Sequence, residues 1–180
     1  VSLNGMDEVL MIVSKGDCLA AAQLEIVKAA LVAVRRLKDY LERGKAYDIS
    51  LAYYAENLDA LDELHREIER SVWNEQVADN ASARLQELRR DIKNCEDKMR
   101  EKAEQIMRSN KECMSDSFST IRNGRVCIPV KKEYKFKIPG IVIDKSATGN
   151  TLFIEPVASA KYYEELQQLR IEEEDEVRRI

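Results

Sequence analysis

Basic side chains are concentrated between residues 120 and 150. Seven lysines and arginines there oppose only Glu133 and Asp144, a net charge of +5, whereas the whole chain carries −4. They are Arg122, Arg125, Lys131, Lys132, Lys135, Lys137 and Lys145. A basic segment within an acidic chain is typical of a surface that faces a polyanion. The alternative is an ordinary solvated strand face, because lysines on edge strands also hinder aggregation.

Two aromatic residues, Tyr134 and Phe136, lie among these lysines. Aromatic rings beside cations are able to stack on nucleic-acid bases. A small sheet, however, needs its aromatic side chains to build a core. We therefore expect both rings to pack inside.

The residue types that carry most catalysis and metal binding form no recognisable site. The patterns GxxxxGK[ST], GxSxG and HExxH are absent. His65 is the only histidine, and it falls on an apolar seam, which indicates a partly buried packing residue rather than a member of a three- or four-ligand site. Asp144 and Ser146 have no accompanying base, so a polar turn explains them better. We expect no catalytic residue, cofactor or metal in this chain.

The cysteines and the hydropathy pattern point to a cytoplasmic protein. The four cysteines, at positions 18, 95, 113 and 127, form no CxxC pair and are expected to be reduced thiols. No apolar run approaches the length of a membrane span. The chain begins at Val1 and stops at Ile180 inside a helical pattern, so we expect it to be part of a longer protein.

Residues 120–156 are the only stretch with a β pattern. Asn123-Gly124 between short apolar segments predicts a tight hairpin, because both turn positions must tolerate positive φ. Polar residues 146–150 predict a second turn. Two prolines that cannot donate to a strand ladder belong at strand ends, bulges or edges, namely Pro129 and Pro139. The pattern predicts a small antiparallel sheet of about four strands.

Helical patterns precede this stretch. A short helix is predicted at 7–13, followed by a long helix with Asp17 as its N-cap and Gly44 as its stop. The apolar face of that long helix is wide, so it should pack against more than one neighbour. Asp48 is expected to cap another helix over 49–72.

Two further long helices flank the β stretch, at 83–111 and 157–180. Asn80 or Ser82 is the expected cap of the first, and both helices carry a single apolar seam, which suits an antiparallel pair. The predicted fold class is mainly α with a small antiparallel β insert, with a helical base and an arm that carries the β segment.

At the β stretch, the chain resembles the MutS-type mismatch-repair ATPases, and specifically their second bacterial branch, which carries a C-terminal Smr nuclease domain. The family pattern is approximately T-x-R-x-G-R-x-V-x-P-V-K-x-E-Y-K, then G-I-V-H-D-x-S-x-S-G-x-T-x-F-I-E-P. Matches include Thr120, Arg122, Gly124, Arg125, Pro129, Lys131, Glu133, Tyr134, Gly140, Asp144, Ser146, Gly149 and Phe153 to Pro156. The chain departs at Ile143, usually His, and at Thr148, usually Ser. The similarity extends upstream through Val77 to Ser82, which resembles the entry to the family's lever helix.

The resemblance implies a division of the chain into four parts. Residues 1–80 would belong to the core, 81–115 and 157–180 would be two lever helices, and 116–156 would be a clamp that grips nucleic acid. In the longer parent, it implies an ATP- and magnesium-dependent ATPase, an Smr endonuclease domain and a homodimer.

Two functions of different classes remain open at this stage. The first is a non-catalytic arm that grips duplex or branched DNA through its basic residues, in DNA repair or control of recombination. The second is a structural lever whose end contacts protein, or an arm that contacts ribosomal RNA in the rescue of stalled ribosomes. The charge pattern suits DNA and RNA equally.

Overall fold

The computed structural model describes residues 3–180 and divides the chain into two compact units. One holds the residues up to Ala83 together with Ile180, and the other is Arg84–Arg179. Helices predominate, and a four-stranded antiparallel sheet lies in the second unit. The predicted fold class is confirmed. Over residues 3–180, none of the helices combines the length and apolar character that crossing a membrane requires.

Helix α2, Ala21–Lys45, is the centre of the first unit. It contacts α1, Met6–Ser14, as well as a 3-10 helix at Ser50–Asn57 and α3, Asp62–Ser71. Its apolar side chains, among them the buried Leu31, are shared between these neighbours. The expectation that its wide apolar face needs several partners is confirmed.

The predicted ends of α2 are wrong. Asp17 is not its N-cap, because the helix begins only at Ala21 and the extended Ala20 takes that position. The backbone N–H of Ala20 donates to Gln23 Oε1 at 2.8 Å, so the N3 side chain supplies the cap hydrogen bond instead. Gly44 lies inside the last turn and does not follow the helix.

The single helix predicted over 49–72 is also wrong. Asp48 has a φ of 52° and caps nothing, and the segment divides into the 3-10 helix and α3. The break lies at Leu61, whose φ is 45° and whose N–H donates to Asp59 Oδ1 at 2.9 Å. Such an Asx turn offers the backbone a competing partner, which separates the 3-10 helix that ends at Asn57 from α3.

The apolar seam that includes His65 is therefore only half buried. Leu51 and Tyr54 are each 63% exposed, whereas His65, Ile68 and Val72 are buried. His65 has the buried packing position that its place on the seam predicts.

A two-stranded hairpin follows α3. Strands β1, Val72–Trp73, and β2, Gln76–Val77, pair antiparallel around Asn74 and Glu75, which both have positive φ. A short 3-10 helix at Asp79–Ala81 then leads towards the next long helix. The connection that follows α3 is thus a tight hairpin.

The second unit is built on two long antiparallel helices, α4, Ala83–Ser109, and α5, Val157–Arg179. Ser159 Oγ donates to the Met99 carbonyl at 3.1 Å, and Cys95 Sγ donates to the Tyr162 carbonyl at 3.1 Å. These bonds join the helices where their backbones approach. Most predicted seam residues of α4 are buried, namely Leu85, Leu88, Cys95, Met99 and Ala103, together with Met107.

The sheet between these helices has the order β3-β4-β6-β5, with every neighbouring pair antiparallel. The strands are β3, Thr120–Arg122; β4, Arg125–Lys131; β5, Gly140–Lys145; and β6, Thr151–Pro156. Asn123 and Gly124 have φ values of 53° and 76°, as the predicted hairpin requires. The second predicted turn is confirmed as well, with Gly149 at a φ of 72°.

One face of the sheet packs on the helices. Val126, Ile128 and Val130 of β4 and Ile154 of β6 join residues of both helices in one apolar cluster. Strands β4 and β5 are both antiparallel to β6, so they run parallel to each other. Residues 132–139 must therefore cross from one end of the sheet to the other, and they do so through a 3-10 helix, Lys132–Lys137.

The two prolines satisfy the hydrogen-bonding constraint in different ways. Pro139 immediately precedes β5, as predicted. Pro129 lies inside β4, beyond the end of the β3 pairing, and its carbonyl accepts from Ser115 N–H. The N and O of one strand residue point to the same side, so Pro129 faces away from β6 and its missing N–H removes no bond from that ladder.

Candidate nucleic-acid interface

The seven predicted basic residues all lie on the sheet and its connections, but their side chains have different roles. Arg122 and Arg125 lie on either side of the Asn123-Gly124 turn, and each guanidinium contacts a side chain of β6. Lys131 and Lys137 both bind Glu112. The remaining three, Lys132, Lys135 and Lys145, are exposed and form no ion pair within residues 3–180. We call these last three the free lysines.

Arg125 is held by a buried carboxylate. Its Nη1 lies 2.9 Å from Glu155 Oε1 and 3.1 Å from Oε2, and the Glu155 side chain is only 2% exposed. The guanidinium carbon also lies 3.9 Å from the ring centroid of Tyr163. The hydrogen bond with Glu155 raises the pKa of Arg125. This arginine neutralises a buried charge and is poorly placed to leave it for a phosphate.

The Arg122 side chain is half-exposed and lies on the same face of the sheet as Arg125. Its guanidinium carbon lies 4.3 Å from the ring centroid of Phe153, and Nη1 lies 3.8 Å from Asp144 Oδ2.

Cys127 is fully buried, and its burial raises the pKa of its thiol to about 11. A thiol with that pKa is protonated and unreactive at neutral pH.

Glu112 organises two of the lysines. Lys137 Nζ donates to Glu112 Oε1 at 2.8 Å, and Lys131 Nζ donates to the Glu112 carbonyl oxygen at 3.2 Å. The hydrogen bond between the side chains lowers the pKa of Glu112 and raises that of Lys137. Both side chains are exposed, so the pair orients Lys137 more than it stabilises the fold.

The free lysines lie around one connection of the sheet. The backbone N–H of Lys132 donates to the Asn150 carbonyl at 3.0 Å, which places the start of the 3-10 helix beside the β5–β6 turn. Lys145 is the last residue of β5, just before that turn. Lys135 follows Lys132 by one turn of the 3-10 helix. Three uncompensated positive charges thus lie at and near one end of the sheet.

The expectation for the two aromatic residues is half right. Tyr134 is partly buried against the apolar cluster, as predicted. Phe136 is 96% exposed, so its predicted place in the core is wrong. A 3-10 helix has three residues per turn, so residues two positions apart point in different directions. Once Tyr134 faces the core, Phe136 faces solvent.

Sequence reasoning missed the acidic residues that sort the basic ones. Glu112 lies outside the basic stretch and Glu155 is 30 residues from Arg125 along the chain, so no local pattern links them. The polar turn expected at Asp144 and Ser146 is found at Ser146, whose Oγ accepts from the Thr151 N–H at 3.2 Å, whereas Asp144 lies in strand β5. Across the described part of the chain, no three His, Cys, Asp or Glu side chains converge as a metal site would need.

Curated relatives align with nearly the whole chain. Endonuclease MutS2 of Clostridium botulinum (strain Eklund 17B / Type B) is 40% identical over 185 residues, covering 99% of this chain and 23% of that protein. Endonuclease MutS2 of Geobacillus sp. (strain WCH70) is 41% identical over 171 residues, covering 92% of this chain and 22% of that protein. The chain belongs to the MutS2 branch of the MutS family. The MutS2 of Clostridium perfringens (strain 13 / Type A) is 35% identical over 181 residues, covering 99% and 23%.

The alignment covers a limited part of each MutS2 protein. The chain spans less than a quarter of the length of the first of these relatives. No protein-family model matches the chain. Membership of the MutS2 branch agrees with the resemblance carried by the β stretch.

Proposed function

We propose that residues 84–179 form a nucleic-acid-gripping arm of a MutS2-type protein. In this proposal α4 and α5 are lever helices, and the four-stranded sheet is a clamp that holds duplex or branched DNA in repair or in control of recombination. Residues 1–80 would be the core portion, 81–115 and 157–180 the levers, and 116–156 the clamp. ATP, magnesium and dimerisation would belong to the whole protein.

The free lysines are the observation that carries this proposal. Asp144, Glu155 and Glu112 pair with Arg122, Arg125 and Lys137, and Glu133, on the same 3-10 helix as Lys132 and Lys135, forms no ion pair with either lysine in the described structure. The free lysines keep their charge available to solvent. Such side chains contact phosphates without reading sequence, and binding of this kind weakens steeply with added salt.

The paired helices supply the stiffness that a lever needs. Arg89 Nε lies 2.8 Å from Glu173 Oε1, and Arg170 Nη2 lies 2.9 Å from Glu96 Oε1. With the buried seam, these ion pairs restrain sliding of one helix along the other. The exposed pair between Arg170 and Glu96 contributes modestly to stability, since exposed ion pairs are typically worth about 0–1 kcal/mol.

The direct test is binding of the 180-residue chain to a DNA four-way junction and to matched duplex. One variant reverses the three free lysines, as Lys132→Glu, Lys135→Glu and Lys145→Glu. The control makes the same change of net charge at exposed basic residues of α4, as Lys93→Glu, Lys98→Glu and Arg100→Glu. The proposal expects the first variant to lose binding and the control to keep most of it. Equal losses would attribute binding to overall charge.

A second candidate function is a lever whose end contacts protein. Its support is the exposed apolar side chains of the second unit, which include Phe118, Ile121 and Ile141. Apolar contacts of this kind are insensitive to salt. Self-association that persists at high salt, with no affinity for DNA, would favour this function. Binding to ribosomal RNA in preference to DNA would favour the ribosome-contacting alternative.

A further inference from the structure

Phe136 is an exposed aromatic residue on a segment that is held from both sides. Its side chain is 96% exposed. Tyr134 packs against the apolar cluster, and Ile138 is only 4% exposed within it. Lys137 is bound to Glu112 at 2.8 Å. The ring is therefore presented to solvent by an anchored turn.

In its exposed position the Phe136 ring lacks the stabilising free energy that burial, in the fold or against a partner, would provide. Burying a phenylalanine side chain is worth about 1.5–3 kcal/mol, and this small sheet leaves one of its few aromatic rings outside. Single exposed apolar residues are common on proteins, so exposure alone carries no conclusion. The charges around the ring decide what kind of partner fits.

The charged residues on the 3-10 helix of Phe136 are mainly cationic, with Lys132, Lys135 and Lys137 against Glu133. Lys135 Nζ lies 5.5 Å from the ring centroid of Phe136, and Lys132 lies on the same short helix with no carboxylate partner in the described structure. An apolar protein partner would have to desolvate these ammonium groups, which is costly. A nucleotide instead brings a flat π-face for the ring and a phosphate for a lysine.

We propose that Phe136 is a base-stacking residue, and that this interface selects nucleic acid with unpaired bases. In a continuous duplex both faces of every internal base are covered by its neighbours, so the ring finds no free face. Bases in single strands, gaps and open junctions do offer one, and stacking is tolerant of sequence. The inference rests on the proposed function and adds the substrate class that the site prefers.

The test is fluorescence anisotropy of a labelled single-stranded DNA oligonucleotide and of the duplex of the same sequence. Phe136→Ala should weaken binding of the single strand roughly five- to hundredfold and leave duplex binding nearly unchanged. Phe136→Trp should restore or tighten it. Trp73→Ala is the matched control, because Trp73 is 75% exposed in the other unit, beside Glu75 rather than lysines.

The outcomes separate this inference from the proposed function. If Phe136→Ala binds both DNAs as wild type does while reversal of the free lysines abolishes binding, the stacking role is wrong and the gripping arm stands. If wild type binds neither DNA at low salt, both proposals fall. An RNA oligonucleotide of the same sequence distinguishes the source of the bases. Circular dichroism of each variant should be unchanged, because the substituted side chains are exposed.

Discussion

The ion pair between Arg125 and the buried carboxylate of Glu155 gives this basic residue a role in the stability of the fold. Removing Arg125 leaves that charge without a partner. We expect Arg125→Met to lower the free energy of unfolding by about 3 kcal/mol, the low end for a broken buried pair, because Arg125 is partly exposed. The double variant with Glu155→Met should regain most of this loss in urea unfolding. Equal losses in the single and double variants would contradict the pairing argument.

Cys127 makes stability depend on pH in the alkaline range. Its thiol has a pKa of about 11 in the fold against 9.0 as the ordinary value, because burial disfavours the thiolate. The unfolded chain therefore releases this proton first, and stability that is complete below pH 9 falls as pH rises towards 11.

Relative to Cys127→Ala, wild type should lose about 2–3 kcal/mol of unfolding free energy across that window. Chemical denaturation of both proteins at several pH values measures the difference, and groups common to both cancel. A difference that stays constant with pH would show that this thiol does not contribute to the linkage.

At the residue scale, the basic segment is evident from the sequence, but the sequence does not show which of its residues pair with carboxylates and which stay available to a ligand. Composition alone shows that the residues are basic. Arg125 and Lys137 are sorted by partners that are distant in sequence, Glu155 and Glu112. The predicted place of Phe136 in the core is wrong, because the expectation that a small sheet buries every ring ignores the 3-10 helix. That helix lets only Tyr134 of the two rings face inward.

Among the elements, β5 approaches β6 closely because Gly140 has no side chain. A Cβ at this position would lie 2.3 Å from the Glu155 carbonyl oxygen and 2.7 Å from Ile154 Cγ2. Backbone cannot yield as a flexible side chain does, so Gly140→Ala should cost about 3 kcal/mol or more. Thermal or urea unfolding measures it.

Gly124→Ala is the control for that substitution. Its Cβ would meet open space, and its cost of about 1–2 kcal/mol comes from the positive φ of 76° alone. The argument expects Gly140→Ala to be the more damaging of the two. The reverse order would mean that β5 shifts to accommodate the methyl group.

Elements that obey local rules were predictable, and those decided by competition were not. Asn123-Gly124 determines its own hairpin, because few residue pairs adopt two successive positive φ values. The span 49–72 has a heptad pattern that suits a helix, yet the Asx turn from Asp59 to Leu61 divides it. Helical periodicity reports which residues are apolar, and a single competing side-chain hydrogen bond redirects the backbone between them.

For the whole molecule, the distribution of charge is the central feature. The helices carry most of the acidic residues, and many of these pair with arginines on the same or the facing helix. The sheet and its connections carry the three free lysines, and Lys131 contacts only a backbone carbonyl. This asymmetry would direct a polyanion towards the sheet and away from the acidic helices.

The most direct test of the gripping arm is the salt dependence of duplex DNA binding by the 180-residue chain. Wild type is compared with a variant in which the three lysines are replaced by neutral side chains, as Lys132→Gln, Lys135→Gln and Lys145→Gln. If all three lysines contact phosphates, the slope of log K against log salt should become shallower by about 2.7 in the variant, close to 0.9 for each lost contact. An unchanged slope, with affinity retained, would show that DNA binds elsewhere and would contradict the assignment of this interface.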